Sequence, residues 1–122
     1  MKKTVFVFGS NLAGVHGAGA AKYALETQGA VWGQGIGHFG DSYAIPTKDR
    51  DIRTLPIDVI RVHVNGFIEY ARNCPELTFQ VTPIGCGLAG YTPKDIAPLF
   101  ENAPPNCIMP AEFGGAGEPW KG

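Results

Sequence analysis

The stretch TVFVFGSNLAGVHGAGAAKYALE, residues 4–26, decides the fold class of this chain. Its first five residues are β-branched or aromatic, and such a continuous apolar run is typical of a strand buried on both faces of a parallel sheet. Glycines cluster over residues 9–19, and residues 20–26 contain strong helix formers. The order of strand, Gly-rich loop and helix predicts a mainly parallel α/β sheet.

A second stretch with the same order lies later in the chain. Residues 77–83 predict a strand, and the Gly-rich residues 84–90 follow it directly. Thr92 and Pro93 have the residue types that favour the N-cap and first turn of a helix. Because ligands of open α/β sheets bind at the carboxyl ends of the strands, we expect the two Gly-rich loops to be two walls of one cleft.

The rest of the chain completes a single predicted domain with helices on both faces of its sheet. The remaining predicted elements are an irregular strand and loop in residues 30–41, a strand in 42–46 that ends at its proline, a helix in 56–73 that begins with Pro56, a helix from 92 to 102, and a short last strand in 106–109. The predicted fold class is therefore α/β, as a three-layer α/β/α fold with a mixed, mainly parallel sheet. Residues 111–122 are predicted to be an irregular Gly/Pro-rich tail.

Composition and charge exclude several classes of function. The net charge of -1 gives no electrostatic footprint for duplex DNA or RNA, and the apolar runs are too short to cross a membrane. The three cysteines match no zinc or redox spacing, and no His/Cys or carboxylate cluster has the spacing of a metal site. With no signal peptide evident, the sequence predicts a reducing, cytoplasmic setting and no cofactor.

The first Gly-rich loop carries candidate ligand-binding residues. Its glycines let backbone N–H groups approach an anion, and the following helix N-terminus adds partial positive charge. Asn11 comes directly off the strand end, where its amide either bonds a ribose hydroxyl or closes a local turn. Among the histidines, His16 is the best placed to face a ligand. The predicted ligand-binding residues of this loop are Ser10, Asn11, His16, Gly17, Ala18 and Gly19.

The second Gly-rich loop and a lysine supply the other candidates. Lys48 follows Thr47 at a strand end, where it is either a solvated loop lysine or a nucleophile toward a sugar aldehyde carbon. Cys86 is either a small buried cysteine or a nucleophile whose thiol pKa a helix N-terminus lowers. The predicted ligand-binding residues here are Thr47, Ile84, Gly85, Cys86, Gly87, Leu88, Ala89 and Gly90, and the candidate catalytic residue is Lys48.

Taken together, these motifs resemble the macrodomain family, which binds ADP-ribose. Ser10-Asn11 is similar to the family's Ala-Asn at the first strand end, and residues 16–21 are similar to its Gly-rich loop beside the distal ribose. Residues 83–88 resemble the phosphate loop of the terminal ADP-ribose glycohydrolase branch, which removes ADP-ribose from glutamate side chains. The resemblance implies that residues 1–110 are a macrodomain-like nucleotide-binding domain, with Lys48 at the position of that branch's catalytic lysine.

The chain departs from that branch at two places. The branch has a catalytic Asp after its Gly-Cys-Gly-Leu run, where this chain has Ala89; Asp49, Asp51 or His16 are the candidates to replace that acid. Macrodomains also usually begin with an additional strand that carries an adenine-recognising Asp, and we expect this chain to lack it.

Three hypotheses about function follow from these observations. The leading one is a protein that binds ADP-ribose, a related phosphate-containing nucleotide or an ADP-ribosylated protein. The second is a hydrolase that cleaves an ADP-ribosyl bond through Lys48. The alternative is a non-catalytic interaction module, with Trp120 of the tail as a contact, or a phage or defence-associated protein that sequesters an ADP-ribose-derived signal.

Overall fold

The fold is built on one five-stranded sheet, seen in a computed structural model that describes residues 3–120. No helix in that part of the chain is long and apolar enough to cross a membrane. The elements are β1 Lys3–Asn11, α1 Gly19–Thr27, β2 Gly37–Phe39, β3 Ser42–Lys48, α2 Ile57–Arg72, β4 Leu77–Val81, α3 Pro93–Ile96 and β5 Cys107–Ile108, with 3₁₀ turns at Ala97–Phe100 and Ala111–Phe113.

The strand order of the sheet is β2-β3-β1-β4-β5. β1 lies in the middle and pairs in parallel with β3 and β4, and β4 pairs in parallel with β5. Only β2, at the edge, runs antiparallel to its neighbour. The sheet is therefore mixed and mainly parallel, as the sequence predicted, and the run of apolar residues in β1 reflects burial on both of its faces.

The two faces of β1 pack against different helices. Val5 and Val7 lie in a cluster with the apolar face of α2, which includes Phe67. Phe6 and Phe8 point to the opposite face, where α1 packs through its alanines. Because successive side chains of a strand alternate between faces, this division follows directly from the sequence order. It gives the three-layer α/β/α arrangement that the sequence predicted.

β3 does not end at Pro46, so that prediction is wrong. The strand continues to Lys48, and its register with β1 shifts at this point: Ser10 pairs with Pro46, whereas Asn11 pairs with Lys48. A proline cannot donate to the ladder, and the shift is the irregularity that accommodates it. After this shift Lys48 is the last residue of β3, at the carboxyl edge of the sheet.

The helix predictions need two smaller corrections. Pro56 is the residue before α2 and not its first residue. The helix predicted over residues 92–102 is only one turn long, and the chain continues as the 3₁₀ turn Ala97–Phe100. Pro98 explains the change, since a proline inside a helix removes a backbone donor and clashes with the preceding turn.

The tail is less irregular than predicted. It contains the 3₁₀ turn Ala111–Phe113, and Gly117 forms an isolated bridge with Pro110. The ring of Trp120 packs against Phe6 and Tyr23, with centroid distances of 5.6 and 5.3 Å. Burial of the aromatic surface stabilises this contact, which brings the tail back to the body of the domain. Residues 1, 2, 121 and 122 of the predicted domain and tail lie outside the described residues.

Candidate functional site

A cavity of about 420 Å³ lies at the carboxyl ends of β1, β3 and β4. Both Gly-rich loops line it, as the sequence predicted, although the two loops are far apart along the chain. Its volume falls in the range of small-molecule sites. Among the predicted site residues, all line this cavity except His16 and Gly90. Whether any of them contacts a ligand stays a prediction.

Asn11 fixes the shape of the first loop. Its side-chain Nδ2 donates to the carbonyl of Val15 at 2.8 Å, and its Oδ1 accepts from the N–H of Val15 at 3.0 Å. The amide therefore serves mainly to close the turn, which was the simpler of the two interpretations of Asn11. Val15 itself lines the cavity, so the turn sets one of its walls.

Some of the glycines near this loop are required by packing. A Cβ on Gly35 would overlap the carbonyl oxygen of Asn11, and a Cβ on Gly14 would overlap the backbone of Gly33. Gly14 also has a φ of 70°, a conformation that favours glycine. The Gly-rich segment before β2 is therefore a backbone layer that packs on the first loop.

Gly17 and Gly87 differ from those glycines. A Cβ placed on either would meet no atom within 4 Å, and neither residue has a positive φ. Neither packing nor backbone conformation requires glycine at these positions. Both residues line the cavity, one in each loop. A glycine of this kind is expected where a ligand approaches the backbone closely.

The two loops also carry backbone donors without protein acceptors. Within residues 3–120, the N–H groups of Gly87, Leu88 and Ala89 have no hydrogen-bond acceptor. The same holds for Gly17 and Ala18, which precede the unsatisfied first turn of α1. All of these residues line the cavity. Proteins bind phosphate both with clustered backbone N–H groups of a turn, as in the second loop, and with N–H groups at a helix start, as before α1.

Lys48 is the cation of the cavity. It ends β3, and its carbonyl accepts a hydrogen bond of 3.0 Å from the N–H of Leu12, which ties the strand end to the first loop. Within the described residues it forms no ion pair. The cavity is lined by no carboxylate and no imidazole from the part of the chain that the structure describes.

Three residues were considered as replacements for the catalytic Asp of the glycohydrolase branch, and none of them lines the cavity. Ala89 lines it, but Asp49, Asp51 and His16 do not. The Oδ1 atom of Asp49 accepts from the N–H groups of Asp51 and Arg53 at 2.8 and 3.0 Å. Asp49 therefore closes the turn after β3, and this turn is its evident structural role.

That turn places Ile52 at the cavity in a strained conformation. Ile52 has a φ of 62° and is 43% exposed, yet it lines the cavity. A β-branched residue with positive φ is a genuine outlier, and such strain is characteristic of functional sites. The loop is held against the second Gly-rich loop by a hydrogen bond of 2.9 Å from Thr54 Oγ1 to the carbonyl of Ala89.

Cys86 is not suited to be a nucleophile. Burial, together with the negative charges of Asp95 and Glu112, raises the pKa of its thiol to about 11. The expectation that a helix N-terminus lowers this pKa is wrong, because α3 has only four residues and burial disfavours the thiolate. Cys86 lines the cavity as a neutral, apolar group at neutral pH.

His16 lies beneath the first loop and not in the cavity. It is 1% exposed, its Nε2 is 3.0 Å from the Oγ of Ser10, and its ring packs edge-on against Phe8. Burial lowers the pKa of His16, so the ring is neutral at pH 7. The residue above it, Ser10, is the one that lines the cavity.

The predicted site residues omit eight contributors to the cavity: Gly9, Val15, Ala20, Ala21, Ile52, Thr82, Pro83 and Trp120. Six of these lie in or next to the two predicted loops, whereas Ile52 and Trp120 come from other parts of the chain. Nothing in the sequence marks Ile52, although the Asp at the start of its turn is a readable turn signal. Trp120 was considered only as a contact for a partner protein. Its position at the cavity depends on the tail folding back over β1, which no local pattern encodes.

Comparisons with known proteins add no relative. No protein-family model, no curated protein and no solved structure matches this chain. Within residues 3–120 there is also no group of three His, Cys, Asp or Glu residues that could hold a metal ion. A functional proposal therefore depends on the chemistry of the cavity.

Proposed function

We propose that this chain binds ADP-ribose or a closely related phosphate-containing nucleotide in the cavity at the carboxyl ends of β1, β3 and β4. The observation that carries the proposal is that two Gly-rich loops from distant parts of the sequence line one cavity. The resemblance of the same loops to macrodomain motifs suggests which phosphate-containing ligand class to test.

The donors of the two loops fit the diphosphate part of such a ligand. Phosphate oxygens are acceptors only, and the N–H groups of Gly17, Gly87 and Leu88 have no acceptor within the described residues. Lys48 adds a positive charge to a cavity that no carboxylate of residues 3–120 lines. A diphosphate therefore meets donors from both walls and no repulsive charge.

The apolar part of the cavity fits a nucleobase. Trp120 offers an aromatic ring, and Leu88 and Ile52 offer exposed apolar side chains. Stacking of a base on an aromatic ring contributes about 1–3 kcal/mol and requires no particular base. The cavity thus combines a polar region for phosphates with an apolar region for a planar ring, as a nucleotide requires.

Calorimetric titration with ADP-ribose, AMP and ribose 5-phosphate tests the proposal. We expect saturable binding of ADP-ribose and weaker binding of each partial ligand. Gly17→Ala and Gly87→Ala should each weaken binding at least about tenfold, the equivalent of one hydrogen bond to a charged group, while leaving the unfolding temperature nearly unchanged. Gly66→Ala is the matched control, because a Cβ on Gly66 also meets no atom within 4 Å but the residue lies on α2.

Hydrolysis of an ADP-ribosyl bond is a second candidate function, favoured by the presence of Lys48 in the same cavity without an ion pair among the described residues. Covalent attack by a lysine also requires an acid for the leaving group, and the described residues put none in the cavity. Lys48→Ala distinguishes the two functions: loss of turnover with binding retained would establish catalysis, and Lys94→Ala is the control. Absence of turnover in the unmodified chain leaves binding as the function.

A further inference from the structure

The hydroxyl of Ser10 occupies an unusual position at the end of β1. Ser10 is buried and lines the cavity, immediately before Asn11. Its Oγ lies 3.0 Å from Nε2 of His16 and 3.5 Å from the carbonyl oxygen of Asn11. A serine beside a histidine is either a nucleophile with its general base or a hydroxyl that the histidine orients, and the protonation of the ring decides between them.

The surroundings of His16 favour one tautomer. Its Nδ1 is buried and has no hydrogen-bond partner within the described residues, whereas Nε2 faces Ser10. A neutral imidazole has one N–H and one lone pair. With the proton on Nδ1, a buried N–H would lack an acceptor; with the proton on Nε2, the N–H donates to Ser10. Since orphaned buried N–H groups are rare in proteins, the ring is an Nε2–H donor.

This tautomer excludes the catalytic interpretation of the pair. A general base must accept the serine proton at Nε2, with its Nδ1–H held by a third group, as in the serine protease triad. Within residues 3–120, the nitrogen of His16 that has a partner is the donor, and no third group holds the other nitrogen. Ser10 therefore accepts from His16 and keeps its own proton for another acceptor.

The described part of the chain offers the proton of the Ser10 hydroxyl no good acceptor. A hydroxyl has one O–H and two lone pairs, and O–H···O distances are normally 2.5–3.0 Å. The carbonyl of Asn11, at 3.5 Å, is too distant for a strong bond. The side-chain amide of Asn11 is already bonded to Val15, so it does not compete with the Ser10 hydroxyl as a donor to the ligand.

We propose that Ser10 donates a hydrogen bond to an oxygen of the bound nucleotide, and that His16 is a positioning residue that orients the hydroxyl by donating to it. This inference rests on the proposed function above. The acceptor is a phosphate oxygen or a ribose oxygen, since either can accept a hydrogen bond from a hydroxyl.

Titration of variants with ADP-ribose tests the inference. Ser10→Ala should weaken binding about tenfold. Ser42→Ala is the matched control, because Ser42 is equally buried and bonds the carbonyl of Phe39 at 2.8 Å, but begins β3 at the opposite end of the sheet. A Ser10→Ala effect that is also seen with ADP places the acceptor on a phosphate or on the adenosine ribose, and an effect seen only with ADP-ribose identifies the distal ribose.

The positioning role of His16 has its own measurements. His16→Gln keeps an amide donor near the position of Nε2 and should retain most of the affinity for ADP-ribose. His16→Leu removes the donor and should weaken binding about as much as Ser10→Ala does. Combined with Ser10→Ala, the His16→Leu change should cause no further loss, because both variants remove the same interaction. Nitrogen NMR of the unliganded protein should find the ring proton on Nε2, which tests the inference even if a His16 variant does not fold.

The possible failures are distinguishable. If the unmodified chain does not bind ADP-ribose, the proposed function is wrong and this inference falls with it. If the chain binds but Ser10→Ala binds equally well, or the ring proton lies on Nδ1, only this inference is wrong. Additive losses in the double variant would show that His16 acts independently of Ser10.

Discussion

The two Gly-rich loops of the cavity are built differently. The first is fixed by side chains and by packing: Asn11 is bonded to Val15, and the backbone of Gly35 packs directly on it. The second is held mainly by backbone turns, such as the bond of 3.0 Å from the N–H of Gly90 to the carbonyl of Gly87. Its Leu88 is 81% exposed. One wall of the cavity is therefore fixed by side chains and packing, whereas the other is held mainly by local backbone turns.

The largest expected effect tests the fixed wall. Gly35→Ala should destabilise the protein by about 3 kcal/mol or more, because its Cβ would overlap the carbonyl oxygen of Asn11 and force the backbone layers apart. Gly87→Ala, in the other wall, should change stability by less than about 0.5 kcal/mol. Chemical denaturation measures the change in the free energy of unfolding for both variants. Equal changes would contradict the difference between the two loops.

The pH dependence of the free energy of unfolding tests how tightly the first loop covers His16. Burial lowers the pKa of His16 in the folded protein, so between pH 6.5 and the folded pKa the unfolded chain binds more protons. Stability is therefore highest above pH 6.5 and falls as the pH drops through that window, by at most about 1.4 kcal/mol per pH unit for one such group.

His16→Gln isolates the contribution of the first loop. Burial also lowers the pKa of His63 on α2, so the variant should retain part of the pH dependence. Denaturation curves at pH 7 and pH 5 should show a smaller difference for His16→Gln than for the unmodified chain. An unchanged difference would mean that His16 does not contribute and that the first loop is less tightly closed over it.

The smallest expected effect concerns the loop that supports the second wall. Ile52→Asn should stabilise the protein by about 1 kcal/mol, because asparagine tolerates a positive φ far better than a β-branched residue does. Ile36→Asn is the matched control, since Ile36 is also exposed but has no positive φ. A thermal unfolding series that shows no gain at Ile52 would contradict the assignment of strain to this residue.

Much of the architecture was predictable because it depends on local signals. The apolar run of β1 and the repeated order of strand, Gly-rich loop and helix predicted the fold class, and the glycine clusters located both walls of the cavity. The end of β3 was mispredicted, since the rule that proline ends a strand ignores a bulge in the strand itself, which here leaves Thr47 without a partner in β1. The roles of individual glycines were not predictable either, because Gly17 and Gly35 look alike in sequence and differ only in what surrounds them.

The order of strands and helices, the two Gly-rich loops and the position of Lys48 near a strand end follow from the sequence alone. The tertiary structure alone decided that His16 lies beneath Ser10, that Asn11 is bonded to Val15, and that Trp120 returns to the cavity. The physical reason is the range of the interactions. Propensity, periodicity and turn chemistry act over a few residues, whereas burial and hydrogen-bond partners depend on segments that only the folded sheet brings together.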